Sequence, residues 1–322
     1  MIIRLGFVAM SLALENASPS RTMTYKTYQN LPDWESRVYR LKKLTRENLT
    51  NTLRILRYAK TNSVQVYRIT SRLVPLVTHK KVVDWNYTAE MAEEFRRLRE
   101  FIQKADMRIS AHPDHYTLLT STRREVIDAS VRDLVYHDTI LTEMGLAPDK
   151  GKLVLHVGGT YKMKAKAMET FASNFLSLPQ NLKDRIVLEN DDKSYTTSDT
   201  LHLCGLLNIP MVFDVHHHLC NPDGLPIEDL LNPVFNTWKK QVLIPKVHFS
   251  SPKSPAQIRS HADYVDSSAF YQFLTRAKGI NQDFDVMLEA KKKDAALFQL
   301  VKDLKQFQDI RFLDDASFEM KG

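Results

Sequence analysis

The sequence predicts an α/β protein built as a single (β/α)8, or TIM, barrel with a metal cluster at the C-terminal face of its strands. Two observations carry the prediction. Eight short runs of apolar and β-branched residues alternate with stretches of helical periodicity along the 322 residues. Continuous apolar runs of this kind read as parallel strands buried on both faces. Six of the eight runs then end abruptly in a histidine or a carboxylate: His112, His156, Glu189, Asp214, His248 and Glu289. In a closed ring of parallel strands all the strand ends point to one face, so these residues converge there. A doubly wound open sheet is the alternative, and it would gather ligands at one crevice rather than at nearly every strand end.

The elements follow in order. Ile2 to Val8 reads as the first strand. It is not a secretory leader, because Arg4 interrupts it and Glu15 follows. A segment over 13–45, rich in Ser, Thr, Asn and Tyr, is too long for an ordinary βα loop. A helix is expected from near Arg46, with Leu49, Leu53, Leu56 and Tyr58 on its apolar side. The second strand is 64–69, followed by a polar excursion and a helix over 88–105 with Met91, Phe95, Leu98 and Ile102 at helical spacing. Strands over 107–112, 152–157 and 185–190 come next. Helices over 122–144 and 163–178 separate them. Ser198, Asp199 and Thr200 mark the N-cap region of a short helix to Leu207. The sixth strand, 210–215, has Pro210 at its first residue, where proline is tolerated. A helix at 226–239, a strand at 242–251, a helix at 267–279, a strand at 284–290 and a helix at 293–307 complete the pattern. One domain over 1–307 is expected, with a patternless tail over 308–322.

Composition narrows the function. Hydrophobic residues make up 43% of the chain, enough for the full core of one large domain. The net charge of +7 suits a polyanionic partner, and it also suits solubility alone. The two cysteines, Cys204 and Cys220, form no CxxC spacing. A disulfide framework is therefore excluded, and a reducing, cytoplasmic setting is expected. No apolar run of about 18 residues occurs, so no membrane span is expected.

The strand-end set suits metal ions. His112, His156, His248 and His261 offer imidazoles, and Glu189, Asp214 and Glu289 offer carboxylates. Mixed nitrogen and oxygen ligation without thiolate fits Mn²⁺, Zn²⁺, Fe²⁺ or Co²⁺. Taken singly, each residue reads as well as a packed core histidine or a helix cap. Converging on one face, they exceed what a single tetrahedral site needs, so two or three ions bridged by a carboxylate such as Glu189 is the economical reading. Asp214 and His217 share the set at a spacing that brings His217 back from the first turn after the strand. His216 and His218 read either as orienting neighbours or as part of a solvated turn. Lys246 lies two residues before His248 and so shares its face. An ammonium aimed at metal ions is electrostatically unfavourable, which suggests that Lys246 is neutral, paired with a carboxylate, or converted to a carbamate.

The residues resemble the ultraviolet DNA damage endonuclease family, closest to its Bacillus-like bacterial members. The resemblance rests on YRITSRLVPLVTH (67–79), HPDHY (112–116), HVGG (156–159), LEND (188–191), FDVHHH (213–218), PKVHFSS (245–251), SHADYVD (260–266) and LEAKKKD (288–294), and runs from about residue 2 to 305. It implies a TIM barrel related to endonuclease IV. It implies ATP-independent incision immediately 5′ to cyclobutane pyrimidine dimers and 6-4 photoproducts, leaving a 3′-hydroxyl and a 5′-phosphate. It implies three divalent ions, Mn²⁺ preferred, with Zn²⁺, Co²⁺ or Mg²⁺ as possible substitutes. The implied ligands are His112, His156, Glu189, Asp214, His217, His248, His261 and Glu289. His79 matches a further active-site histidine, and Lys246 matches a carboxylated lysine.

His115 and Tyr116 stand where some relatives have Gln-Tyr in a probe of the duplex. Phe7 and Ser11 stand where some have Tyr and Asn in the lesion pocket. Lys162, Lys164 and Lys166, and Lys291 to Lys293, are candidates to hold the DNA backbone, although both runs also read as solvated faces. Double-stranded DNA carrying ultraviolet lesions is thus the expected partner. A monomeric cytoplasmic enzyme, associated with the nucleoid when bound to DNA, is the expected state. An apurinic endonuclease, a metal-dependent sugar isomerase and a non-catalytic damage-binding protein are the alternatives.

Overall fold

The computed structural model describes residues 1–82 and 85–321; Val83 and Asp84 of the excursion after the second strand, and Gly322 of the tail, lie outside the described residues. Eight parallel strands form a closed barrel: β1 (Ile2–Val8), β2 (Val66–Arg68), β3 (Arg108–Ala111), β4 (Lys152–His156), β5 (Ile186–Glu189), β6 (Met211–Asp214), β7 (Lys246–Phe249) and β8 (Phe284–Leu288). Each pairs with the next, and β1 closes the ring by pairing with both β8 and β2. The connections are helical. They are α1 (Tyr25–Gln29), α2 (Trp34–Thr61), α3 (Tyr87–Glu90), α4 (Ala92–Ala105), α5 (Arg124–Glu143), α6 (Lys164–Leu176), α7 (Gln180–Arg185), α8 (Thr197–Leu207), α9 (Val215–Cys220), α10 (Ile227–Asn236) and α11 (Ser267–Ala277), with α12 (Lys293–Leu304) after β8. Among the described residues, no helix is long and apolar enough to cross a membrane.

The main apolar core lies between strands and helices, where Ile3, Leu5 and Phe7 of β1 are fully buried. The barrel interior is divided. Val154, Val187 and Val212 of β4 to β6 pack with Trp238 in a separate apolar cluster. The other side is ionic. Fully buried Asp285 accepts hydrogen bonds from Arg4 at 2.6 and 3.0 Å and from Arg108 at 2.6 Å. The Arg108 guanidinium also lies over the Trp238 ring. Removing one partner from such a buried ionic group typically costs ~3–5 kcal/mol, so this floor is firmly specified. The seam between β1 and β2 requires Gly6, because a Cβ there would fall 2.4 Å from the Val66 carbonyl oxygen.

Besides shorter strands, as in β7, and the unexpected helix α7, four details differ from the sequence expectation. First, α2 begins at Trp34 rather than near Arg46, so much of the 13–45 segment is helical. Asp33 caps it by accepting from the Ser36 N–H, and Val38, Leu41 and Leu44 continue its buried face beneath a dense charged surface. Second, a helical turn, α9, starts directly after β6. The side chain of Asp214 caps it by accepting from the His217 N–H at 2.7 Å. Third, α8 is capped by Thr196, slightly earlier than expected, in a capping box with Asp199. Fourth, the tail is an antiparallel pair, β9 (Ile310–Phe312) and β10 (Ser317–Met320). β2 is short and meets β1 only at residues 6–8, and β10 pairs with residues 2–4 of the same strand. The tail thus satisfies backbone groups that β2 is too short to reach.

Candidate metal centre

Strand register gathers the site. His156 of β4 pairs with Glu189 of β5, and Asp214 of β6 pairs with His248 of β7. Paired residues on neighbouring strands point to the same face, so each pair enters the barrel mouth side by side. His112 and Glu289 stand one residue beyond the ends of β3 and β8. Helical geometry selects His217 from its neighbours. Successive residues on α9 point about 100° apart, so the three histidines cannot all face the cluster. His217 Nδ1 lies 3.7 Å from Glu189 and 3.6 Å from Asp214, whereas His218 bonds Thr197 and His216 stacks on His261.

Glu189 is the centre, with 1% of its surface exposed. Its Oε2 lies 3.1 Å from His112 Nε2 and 3.7 Å from His156 Nε2. Its Oε1 lies 2.8 Å from His248 Nδ1, which also sits 3.1 Å from Glu289. Two groups of side chains could each hold a metal ion: His112, His156 and Glu189, and Glu189, Asp214, His248 and Glu289. Within each group the donor atoms lie within 4.8 Å of one another, and Glu189 belongs to both.

The donor chemistry fits cations. His112 Nδ1 donates to the Pro113 carbonyl at 3.0 Å, which in the neutral ring leaves the Nε2 lone pair facing the Glu189 carboxylate. Two acceptors facing each other are repelled unless a proton or a metal ion lies between them. Asp214 Oδ2, His156 Nδ1 and His248 Nε2 are buried without hydrogen-bond partners. The electrostatics agree. Burial alone would raise the Glu189 carboxyl, but His248 and His156 outweigh it and hold its pKa well below the ordinary range. Burial raises Asp214, opposed by His217 and reinforced by Glu189 and Glu289. Burial pushes His217 down, yet Asp214 and Glu189 more than compensate and lift it to about 9. The cluster therefore favours positive charge within it.

The remaining expected residues are distributed around this centre. His261 joins the rim, its Nδ1 2.7 Å from Ser250 Oγ. Lys246 is fully buried beneath the cluster and donates to Ser110 Oγ at 2.8 Å. Burial, aided by Arg108 and Arg68, pushes its pKa well below that of an ordinary lysine. A cleft of about 580 Å³ opens above, lined by Arg68, His112, His115, His156 and Glu289 among others. The rings of His115 and Tyr116 lie 3.9 Å apart, tilted by 41°, on the loop after β3, and Tyr116 is 71% exposed. Lys162 and Lys291 are exposed, whereas Lys164 is engaged by Asp199 at 2.7 Å.

Three residues are not brought to the cleft in this conformation. His79 stacks on Tyr25 at 4.2 Å and lines a separate hollow with Lys80, Trp85 and Arg132. Phe7 is buried edge-on against Tyr67. Ser11 is buried and donates to Asp294 at 2.5 Å. Conversely, sequence reasoning missed Asn190 and Arg68. Asn190 exchanges hydrogen bonds with the Asp214 backbone and accepts from His217, which orients both. Arg68 donates to Glu289 from the end of β2. Its signal was its position at a strand end, hidden because a search for ligands passes over arginine.

The family model for UV-endonuclease UvdE matches residues 3–321. The chain belongs to the UvdE family. A UV DNA damage endonuclease of Bacillus mycoides (strain KBAB4) is 41% identical over 319 residues, covering 99% of this chain and 100% of the relative. Its counterpart from Bacillus thuringiensis subsp. konkukian (strain 97-27) is 40% identical with the same coverage. The crystal structure of SacUVDE superposes with a TM-score of 0.84 at 30% identity, covering 94% of this chain and 98% of that one. Endonuclease IV from Thermus thermophilus, at 15% identity and a TM-score of 0.55 over 94% of this chain and 99% of its own, shares the fold.

If Glu189 joins both groups, replacing it should disable both. Glu189→Gln should weaken Mn²⁺ binding, measured by calorimetry, by more than the roughly 10–100-fold typical of losing an outer hydrogen-bond partner. Far-ultraviolet circular dichroism should be unchanged. Wild-type Mn²⁺ affinity and stoichiometry in this variant would contradict the shared role.

Proposed function

We propose that this protein is a DNA repair endonuclease that cuts the phosphodiester immediately 5′ to ultraviolet photoproducts, leaving a 3′-hydroxyl and a 5′-phosphate, without ATP. The observation that carries the reading is the Glu189-centred donor set at the mouth of a barrel that belongs to the UvdE family throughout its length. Three divalent ions, Mn²⁺ preferred, would be held by His112, His156, Glu189, Asp214, His217, His248, His261 and Glu289. Such ions draw charge from the scissile phosphate and activate a water molecule for attack.

The chain's own residues do the rest. Lys162 and Lys291, exposed on the loops after β4 and β8, attract the DNA backbone through a salt-dependent term. His115 and Tyr116, in ring contact on the loop after β3, would act as a wedge beside the cleft that His115 lines. A crosslinked, poorly stacked dinucleotide leaves the duplex at lower cost than normal bases, which gives selectivity before any base is read. Asn190 and Pro113 hold His217 and His112 in place, so the ligands need not reorganise when substrate arrives.

The direct test is incubation with Mn²⁺ and duplexes containing a photodimer, an abasic site or neither, with cuts mapped to the nucleotide. A cut immediately 5′ to the photodimer is expected. Cleavage confined to the abasic duplex would favour the apurinic endonuclease, and no cleavage of any duplex would overturn the nuclease reading.

Tyr116→Ala should impair discrimination more than chemistry, because a stacking contact contributes ~1–3 kcal/mol per base. Binding ratios for damaged over undamaged duplex should fall toward unity. A ratio equal to that of the wild type would remove the wedge.

Lys246 should act as a neutral group or as a carbamate. The buried amine is already pushed toward neutrality, and addition of carbon dioxide with loss of a proton would turn it into an anion. Lys246→Arg, which keeps its charge, should therefore reduce incision more than Lys246→Ala. Near-normal incision by Lys246→Arg would rule this out.

A further inference from the structure

The inward-pointing cations of the barrel differ in how their charge is met. Arg4 and Arg108 share Asp285. Lys246 can lose its proton. Arg68 cannot, since a guanidinium stays charged at any physiological pH. It stands at the end of β2, in register with Val8 on β1 and Ser110 on β3, and lines the same cleft as His112, His156 and Glu289. Only 11% of its side chain is exposed. Its Nη1 donates to Glu289 Oε1, and among the described residues it makes no other hydrogen bond.

That single partner belongs to one of the two groups that could hold a metal ion. An ion taking Glu289 draws on the same carboxylate that holds Arg68. A permanent positive charge left beside divalent ions is repelled unless a second anion joins them. The cleft above is open to such an anion. A phosphodiester suits it well, because the planar fork of a guanidinium matches two phosphate oxygens.

We infer that Arg68 is a phosphate-binding residue of the active site, which rests on Glu289 in the metal-free protein and turns to the DNA phosphate when ions occupy that carboxylate. The inference rests on the endonuclease reading given above. It assigns to β2, one of the two strands without a ligand at its end, the task of holding the substrate rather than the metal. The competing role is that Arg68 only fixes the orientation of Glu289. The two roles make opposite statements about metal affinity. A residue that competes with the ion leaves affinity unchanged or tighter when removed, and a residue that orients the ligand weakens it.

The experiment compares wild type, Arg68→Gln and Arg68→Lys by Mn²⁺ calorimetry and by single-turnover incision of a photodimer duplex, with thermal melting to confirm folding. Arg68→Gln should bind Mn²⁺ at least as tightly as wild type and cut on the order of 100-fold more slowly, the loss typical of removing one preorganised donor to a reacting group. Arg68→Lys keeps the charge but not the fork, and should show the same unaltered Mn²⁺ binding with a smaller loss of rate. It carries the comparison if the glutamine variant does not fold. Mn²⁺ affinity falling in step with incision, or incision unchanged in both variants, would overturn the inference. If wild type itself fails to cut the photodimer duplex, the endonuclease reading falls and this inference with it.

Discussion

A carboxylate with almost no solvent contact, surrounded by imidazoles, is the constraint on which this structure turns. Glu189 is 1% exposed, and four imidazoles, those of His112, His156, His217 and His248, lie within 3.7 Å of it. An isolated carboxylate in such a place would be severely destabilised unless positive charge accompanied it. His217 and His248, whose pKa values the carboxylates raise, can supply that charge as protons, and metal ions would supply it in their place. The short strands, the register of β4 with β5 and of β6 with β7, and the start of α9 directly on Asp214 all bring those partners within reach.

The division of the barrel interior serves the same end. Below the cluster, Asp285 ties Arg4 and Arg108 together, and the valines of β4 to β6 with Trp238 fill the opposite half. Lys246 and Ser110 form an intermediate layer, and above it Asp214 Oδ2, His156 Nδ1 and His248 Nε2 lack partners.

Much of this was legible in the sequence because buried parallel strands leave a plain mark: an apolar run and then a polar residue. The mark placed His156, Glu189 and Asp214 correctly at strand ends and His248 one residue before one, with β1 matching its expected span. It failed where helices carry charge on most of their surface, as at the start of α2, and where pairing is supplied from far away, as with the hairpin of β9 and β10 against β1. Among the site residues, the candidate ligands stood out by type and position together. Arg68 had the position without the expected type. Asn190 acts through backbone contacts that no local pattern reveals. Phe7 and Ser11 were assigned by resemblance, and their burial follows from contacts with Tyr67 and Asp294 that are distant in sequence.

The central claim is that one buried carboxylate organises several metal ions at a single face. Electron paramagnetic resonance of the Mn²⁺-loaded protein addresses it most directly, because ions that share a ligand couple magnetically. The account predicts more than one tightly held Mn²⁺ per chain, with the broadened spectrum of exchange-coupled ions. A spectrum showing only the resolved hyperfine pattern of isolated Mn²⁺, at a stoichiometry no greater than one per chain, would contradict it.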